Sequence, residues 1–242
     1  MARAVPAATA KDMSNDDDDF YRPPAKTTAG LMFPARSKQT VRGFTLAKLP
    51  AENDWRQIIS ASQGERETCL LALADPQLWN LHDQPTPVSY IDLDGRQRTH
   101  RFDFLAEYRN GQKIGLAVKP ADRAEKLNFR ETLHAIRRDL PKGFADGVCL
   151  VTERNRHPKE VLNAQLLNFF RRCEDPEADA LVAERIADLS GEMSIAEMIK
   201  PLDLDARGFR AAFRAIYADL LRAEKCELIS LNTIVAPKGV DQ

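Results

Sequence analysis

The stretch 99–120 reads THRFDFLAEYRNGQKIGLAVKP, with Asp103 in one strand-like run, Lys119 at the end of the next, and Asn110-Gly111 between them. Asn-Gly is a strong signal for a two-residue hairpin, so the two runs should pair, and side chains two residues apart should share a face. A carboxylate and an ammonium brought into one cleft suit metal-assisted hydrolysis of a phosphodiester. The carboxylate holds a hard divalent cation, and the ammonium orients water or offsets the charge that develops on the phosphate. Further oxygen ligands are then needed. Glu65, on a preceding helix, is the additional acid, and the main-chain carbonyl of Val118 is a third oxygen donor. Ala117, two residues before the lysine where such nucleases usually carry Glu or Gln, supplies none. The predicted catalytic group is Glu65, Asp103 and Lys119. The predicted metal ligands are Glu65, Asp103 and Val118, with Mg²⁺ or Mn²⁺ held weakly. Two acids after the lysine, Glu125 and Glu131, could replace the missing ligand, or could equally pair with Lys126 or Arg130 along a helix. Asp103 also admits a plainer role as a structural ion pair, and Glu65 as half of a helix-start box with Ser62.

These residues need elements to position them. The run SASQGERETCLLALADP spaces Cys69, Leu70 and Leu73 on one side of a helix that Ser62 caps and Pro76 ends. PVSYIDL is a strand, and Asp94-Gly95 turns it into RQRTHRFDFLAEY, which Asn110-Gly111 turns into QKIGLAVK. Phe102 and Phe104 flank Asp103 and should bury the face opposite the carboxylate. A helix over 121–140 and a buried strand at 147–152 complete an α-β-β-β-α-β order, and a helix over 158–172 follows. The acidic CEDPEAD segment reads as a domain boundary. Beyond it lie helices at 178–189, 194–201 and 205–224, capped by Ser194 and Asp205, and a closing strand or hairpin in CELISLNTIV. This order suits a winged helix-turn-helix or a plain helical bundle. The predicted organisation is a disordered tail over 1–40 with an Asp16–Asp19 run, an α+β domain over 41–173, and a helical domain over 178–236.

Composition narrows the function classes. Hydrophobic residues make up 43% and charged residues 29%, an ordinary soluble balance. No stretch approaches the roughly 20 apolar residues that span a bilayer, so a cytoplasmic location without a membrane partner is expected. Cys69, Cys149, Cys173 and Cys226 lie far apart and should be buried free thiols. His82, His100, His134 and His157 are equally scattered. Net charge is only −1, but its distribution is uneven. Residues 96–142 hold twelve Lys or Arg against six Asp or Glu, whereas 171–205 hold four against ten. The first block can meet phosphate, through Arg123, Lys126 and Arg130 on the predicted helix. The second can meet solvent or protein.

The segments SASQGERETCLLALADPQLWNLHDQP and DGRQRTHRFDFLAEYRNGQKIGLAVKP together resemble the N-terminal domain of the TnsA-type transposon endonucleases. The family pattern runs S-x-x-E-R-D, an apolar helix, a D-P turn, an acidic-Q-P turn, P-D-F and E/Q-V-K-P, and residues 40–168 fit it in order. The resemblance implies a restriction-endonuclease-like fold and Mg²⁺-dependent cleavage of DNA at transposon ends. It also implies work alongside an integrase-type transposase and an ATPase regulator of the same element. It places Glu65 on the family's helix acid, Asp103 on its strand aspartate and Lys119 on its lysine. Phe102 stands where the family has proline, Glu67 where it has aspartate, and Ala117 where it has the third ligand. Two other readings stay open: a DNA-binding scaffold that keeps the fold without the chemistry, and a repair or defence nuclease.

Overall fold

The structure, a computed structural model, describes residues 23–29, 43–224 and 226–238. It begins with a hairpin of β1 (Gly43–Lys48) and β2 (Trp55–Ser60), which the sequence pattern did not single out. Residues 23–29 lie against it, with the Ala25 amide donating to the Trp55 carbonyl and the Gln57 amide to the Ala25 carbonyl. The fully buried carboxylate of Asp83 ties this segment down, accepting from the Thr28 hydroxyl at 2.6 Å, the Ile59 amide at 2.8 Å and the Thr27 hydroxyl. The expectation of a disordered tail therefore fails at 23–29, where two threonines supply what Asp83 needs. The Asp16–Asp19 run lies outside the described residues.

Helix α1 (Gln63–Ala74) starts at Ser62, whose hydroxyl accepts from the Glu65 amide at 3.2 Å. Strands β3 (Leu78–Asp83), β4 (Val88–Ile91), β5 (Gln97–His100), β6 (Phe104–Tyr108) and β7 (Lys113–Val118) follow. Both turn dipeptides behave as read, with Gly95 at φ 74° and Gly111 at φ 84°. The run 96–108 is not one strand, however. It breaks at Arg101–Asp103, so β4 and β5 form their own hairpin while β6 joins a four-stranded sheet of order β3-β6-β7-β8. Two helices, α2 (Ala121–Lys126) and α3 (Phe129–Arg138), replace the single one expected, because Asn128 takes a left-handed conformation at φ 46°. Strand β8 (Gly147–Val151) returns parallel to β7, and α4 (Pro158–Phe170) follows.

The sheet is covered on both sides. On one face Cys69 and Leu73 of α1 meet Leu81, Phe104, Ala106 and Leu116. On the other, Phe129, Leu133 and Ile136 of α3 meet Phe102 and Ala117. Phe102 and Phe104 thus bury opposite faces rather than the same one, because the bend at Asp103 interrupts the alternation.

The rest of the chain holds α5 (Pro176–Ala187), β9 (Met193–Ser194), α6 (Ile195–Ile199), α7 (Asp205–Tyr217), β10 (Leu221–Arg222) and β11 (Ile234–Pro237). The last strand pairs antiparallel with both β10 and β9. Ser194 caps α6 as expected, and Glu197 closes a capping box with it. Asp205 does not cap: it sits inside α7 at φ 46°, while Asp175 caps α5. The molecule is an α+β fold in which α1 and α4 pack against the C-terminal helices: Leu70, Ala74, Ala164 and Leu167 share one cluster with Val182, Phe213 and Ile216. Of the four cysteines only Cys69 is buried, its thiol pushed up to about 12 by burial; Cys149, Cys173 and Cys226 are exposed. Among the described residues no helix is long and apolar enough to cross a membrane.

Candidate functional site

The bend that separates Phe102 from Phe104 places Asp103 just before the start of β6, where the chain still keeps its sheet bonds. Its amide donates to the Leu116 carbonyl at 3.0 Å, and its carbonyl accepts from the Gln84 amide at 2.9 Å. The half-buried side chain turns to the end of β7, where Oδ2 accepts from the Val118 amide at 2.7 Å. Within an extended strand the N–H and C=O of one residue point to the same edge. The Val118 carbonyl therefore lies on the edge that carries Asp103, while the next amide, that of Lys119, turns the other way and donates to the Val151 carbonyl at 3.0 Å.

Glu65 reaches this edge from the first turn of α1 and is itself buried. A Cβ placed on the neighbouring Gly64 would lie 3.3 Å from the Val118 side chain and 3.2 Å from Nη2 of Arg156. That turn of α1 is thus pressed onto the end of β7. Asp103 registers both charged neighbours. Burial and then Glu65 push its carboxyl up to about 7, against the smaller pulls of the Val118 N–H and Lys119. The Lys119 ammonium rests 4.5 Å from the centroid of the Phe129 ring. The structure thus brings Glu65, Asp103, Val118 and Lys119 together.

The other predicted acids stand apart. Glu125 is exposed and bonded to Arg154 at 2.9 Å rather than to its own helix. Glu131 is exposed on α3, whose inward side is formed by Phe129, Leu133 and Ile136. Arg123, Lys126 and Arg130 are all exposed along α2 and the start of α3. Ala117 is only 1% exposed and packs among Phe102, Phe129 and Ile136, so the third-ligand position faces an apolar cluster.

Two carboxylates and a main-chain carbonyl are hard oxygen donors. Mg²⁺ commonly takes one or two carboxylates and completes its octahedron with water and phosphate oxygens. Asp103, which burial first and Glu65 second raise to about 7, and Glu65 fit such a cation, which would relieve the repulsion between them. They do not make a full protein cage. Glu65 already accepts from the Ala61 amide at 2.7 Å and the Ser62 hydroxyl at 3.0 Å, and among the described residues no group of three His, Cys, Asp or Glu could hold a metal.

Three neighbours escaped the sequence reading. His100 packs edge-on to Phe102 with centroids 4.8 Å apart, and burial followed by Lys119 lowers its pKa to about 4. Arg156 pairs with Glu67 at 2.9 Å and leaves its buried Nη1 without a hydrogen-bond partner. Phe129 is the platform for Lys119. His100 lies only three residues before Asp103, whereas Phe129 and Arg156 are brought here by the packing of α3 and of the segment after β8. A scan of protein-family models finds no match to this chain, and neither does a search of curated proteins.

Proposed function

We propose that this protein is a TnsA-like DNA endonuclease subunit of a heteromeric cut-and-paste transposase. In this reading the sheet with its two helical layers is a restriction-endonuclease-like domain, and α5–α7 with the small β9–β11 sheet form a winged helix. The protein acts in the cytoplasm on transposon ends, alongside an integrase-type transposase and an ATPase regulator. The observation that carries the reading is the convergence of Glu65, Asp103 and Lys119 at one end of β7, with Asp103 raised to about 7. Perturbed carboxylates of this kind mark functional clefts more often than solvated surfaces. Glu65, Asp103 and the Val118 carbonyl would hold Mg²⁺ or Mn²⁺, which when bound supplies Lewis acidity toward a phosphate oxygen. Lys119 places a positive charge beside the phosphate, and the Phe129 ring holds that ammonium in place. Arg123, Lys126 and Arg130 offer an exposed cationic flank to the DNA backbone.

Ala117 favours a second reading. With an apolar side chain at the third-ligand position, the same fold can serve as a DNA-binding scaffold while a partner cuts. The deciding experiment incubates DNA carrying the element's end with the partner transposase and Mn²⁺ or Mg²⁺, comparing wild type with Asp103→Asn. The nuclease reading expects strand cleavage that the substitution abolishes. A wild type that never cuts with its partners present, together with an Asp103→Asn complex that remains fully functional, establishes the scaffold reading instead.

A further inference from the structure

A cavity of about 300 Å³ lies between α2, the start of α3 and the end of β8, at the lower end of the size range of small-ligand sites. Its apolar wall includes Phe129 and Leu150, and the aromatic ring of Phe129 is the one that carries Lys119. The cavity therefore shares a side chain with the candidate active site. Its polar lining is of a specific kind. Asn128 is held in the left-handed conformation at the break between α2 and α3, and its side chain makes no cap hydrogen bond. Asn155 uses Oδ1 to accept from the Thr152 amide and hydroxyl, both at 3.0 Å, which leaves its two amide N–H donors over. Arg130 and Arg154 also line the cavity, and Arg154 is bridged to Glu125 by a pair whose side chains are 70% and 63% exposed. Such an exposed pair is weak and can exchange its carboxylate for a phosphate, the anion a guanidinium fork fits equally well.

We propose that this cavity takes one unpaired nucleotide of a DNA strand, with its phosphate on Arg130 and Arg154, its base against Phe129 and Leu150, and its polar edge read by Asn128 and Asn155. An apolar floor with side-chain amides and flanking arginines is the chemistry that recognises a splayed-out base and its phosphate. The inference rests on the DNA reading for its substrate, and it adds a subsite separated from Lys119 by one aromatic ring.

The test titrates the full-length protein, without divalent cation, with thymidine 5′-monophosphate, inorganic phosphate and thymidine in turn. The side-chain amide signals of Asn128 and Asn155 are followed by ¹H–¹⁵N NMR. The nucleotide should shift both amides and bind more tightly than either half. Arg130→Ala with Arg154→Ala should weaken it at least tenfold. Asn155→Asp keeps the capping oxygen but removes the donors, and should weaken it as well. Unmoved amides, a double variant that binds as tightly as wild type, or phosphate that binds as tightly as the nucleotide would overturn the proposal. Asp103-dependent cleavage without nucleotide binding would sink this inference and spare the nuclease reading; nucleotide binding with no Asp103-dependent cleavage would do the reverse.

Discussion

At the scale of single residues, Asp103 and His100 make opposite demands on pH within one cluster. Asp103 titrates near 7 in the fold and near 3.8 when unfolded, so between those values the native state binds the extra proton and stability falls as pH rises. His100 titrates near 4 in the fold and 6.5 unfolded, so over almost the same window the unfolded state binds the extra proton and stability rises. The two slopes offset each other. The Asp103 contribution is bounded by about 4 kcal/mol, and is nearer half that because the side chain keeps some solvent. Asp103→Asn should therefore expose a stability that climbs from pH 4 to 6.5, and His100→Gln one that declines from pH 4 to 7. Urea denaturation of the two variants across that range checks the signs; parallel profiles would remove the assigned burial as their cause. Ala117 belongs to the same scale. A glutamate there enters the cluster of Phe102, Phe129 and Ile136, where an unsatisfied carboxyl costs about 1–3 kcal/mol. In chelator, Ala117→Glu should lower the melting temperature, and Mn²⁺ should restore more of it than in wild type if the new acid reaches the ion. No selective recovery would mean that the apolar packing, rather than a missing ligand, decides what position 117 does.

At the scale of elements, β7 is the part on which the site depends, because its edge carries the Val118 and Lys119 positions and its middle supports Phe102. Gly115 lies under that ring, and a Cβ there would stand 3.1 Å from three of its atoms. Gly115→Ala should cost about 1–3 kcal/mol as the ring shifts, and should weaken Mg²⁺-dependent stabilisation as well, since Asp103 follows Phe102 in the chain. Differential scanning fluorimetry with and without Mg²⁺ measures both; a loss of stability with metal response unchanged would show that the bend and the site are independent. Helices α2 and α3 supply the other lever. Replacing Arg123, Lys126 and Arg130 with alanine should flatten the salt dependence of DNA binding by about 0.9 log-log units for each phosphate that is no longer neutralised. Equal slopes for the variant and wild type would place the phosphate-binding surface elsewhere. What the sequence revealed among these elements was local. The Ser62 and Ser194 caps and the Asp94-Gly95 and Asn110-Gly111 turns act within a few residues of themselves, so their signals are complete in the chain. The bend at Asp103 and the break at Asn128 were hidden, because each is stabilised by residues far away: Leu116 and Val118 for the first, and the packing of Phe129 on the sheet for the second.

At the scale of the whole molecule, the boundary expected at CEDPEAD is a change of composition, while the packing crosses it. Leu70 and Ala74 of α1 lie in one cluster with α5 and α7, and Phe170 of α4 sits 5.2 Å centroid to centroid from Phe213. Polar interactions cross it too. Arg214 donates to the carbonyls of Phe170 and Cys173, and Asp175 receives Arg207 through two bonds of 2.7 Å. A chain ending at Cys173 would open Leu70, Ala74 and Leu167 to water. Each buried leucine so exposed gives up about 1.5–3 kcal/mol, a large part of the total stability of a small domain. Cleavage in the segment 173–180, where the backbone is exposed but pinned at Asp175, should therefore be slow in the native protein and should be followed by loss of the N-terminal half. The two tryptophans, Trp55 and Trp79, both belong to that half, whereas helices α5–α7 contribute strongly to far-ultraviolet circular dichroism. Tryptophan fluorescence and ellipticity should thus follow one urea transition with one midpoint. If ellipticity falls well before fluorescence, or if a fragment of residues 23–173 unfolds at the same midpoint as the full chain, the two parts fold separately and the shared cluster stabilises only the C-terminal helices.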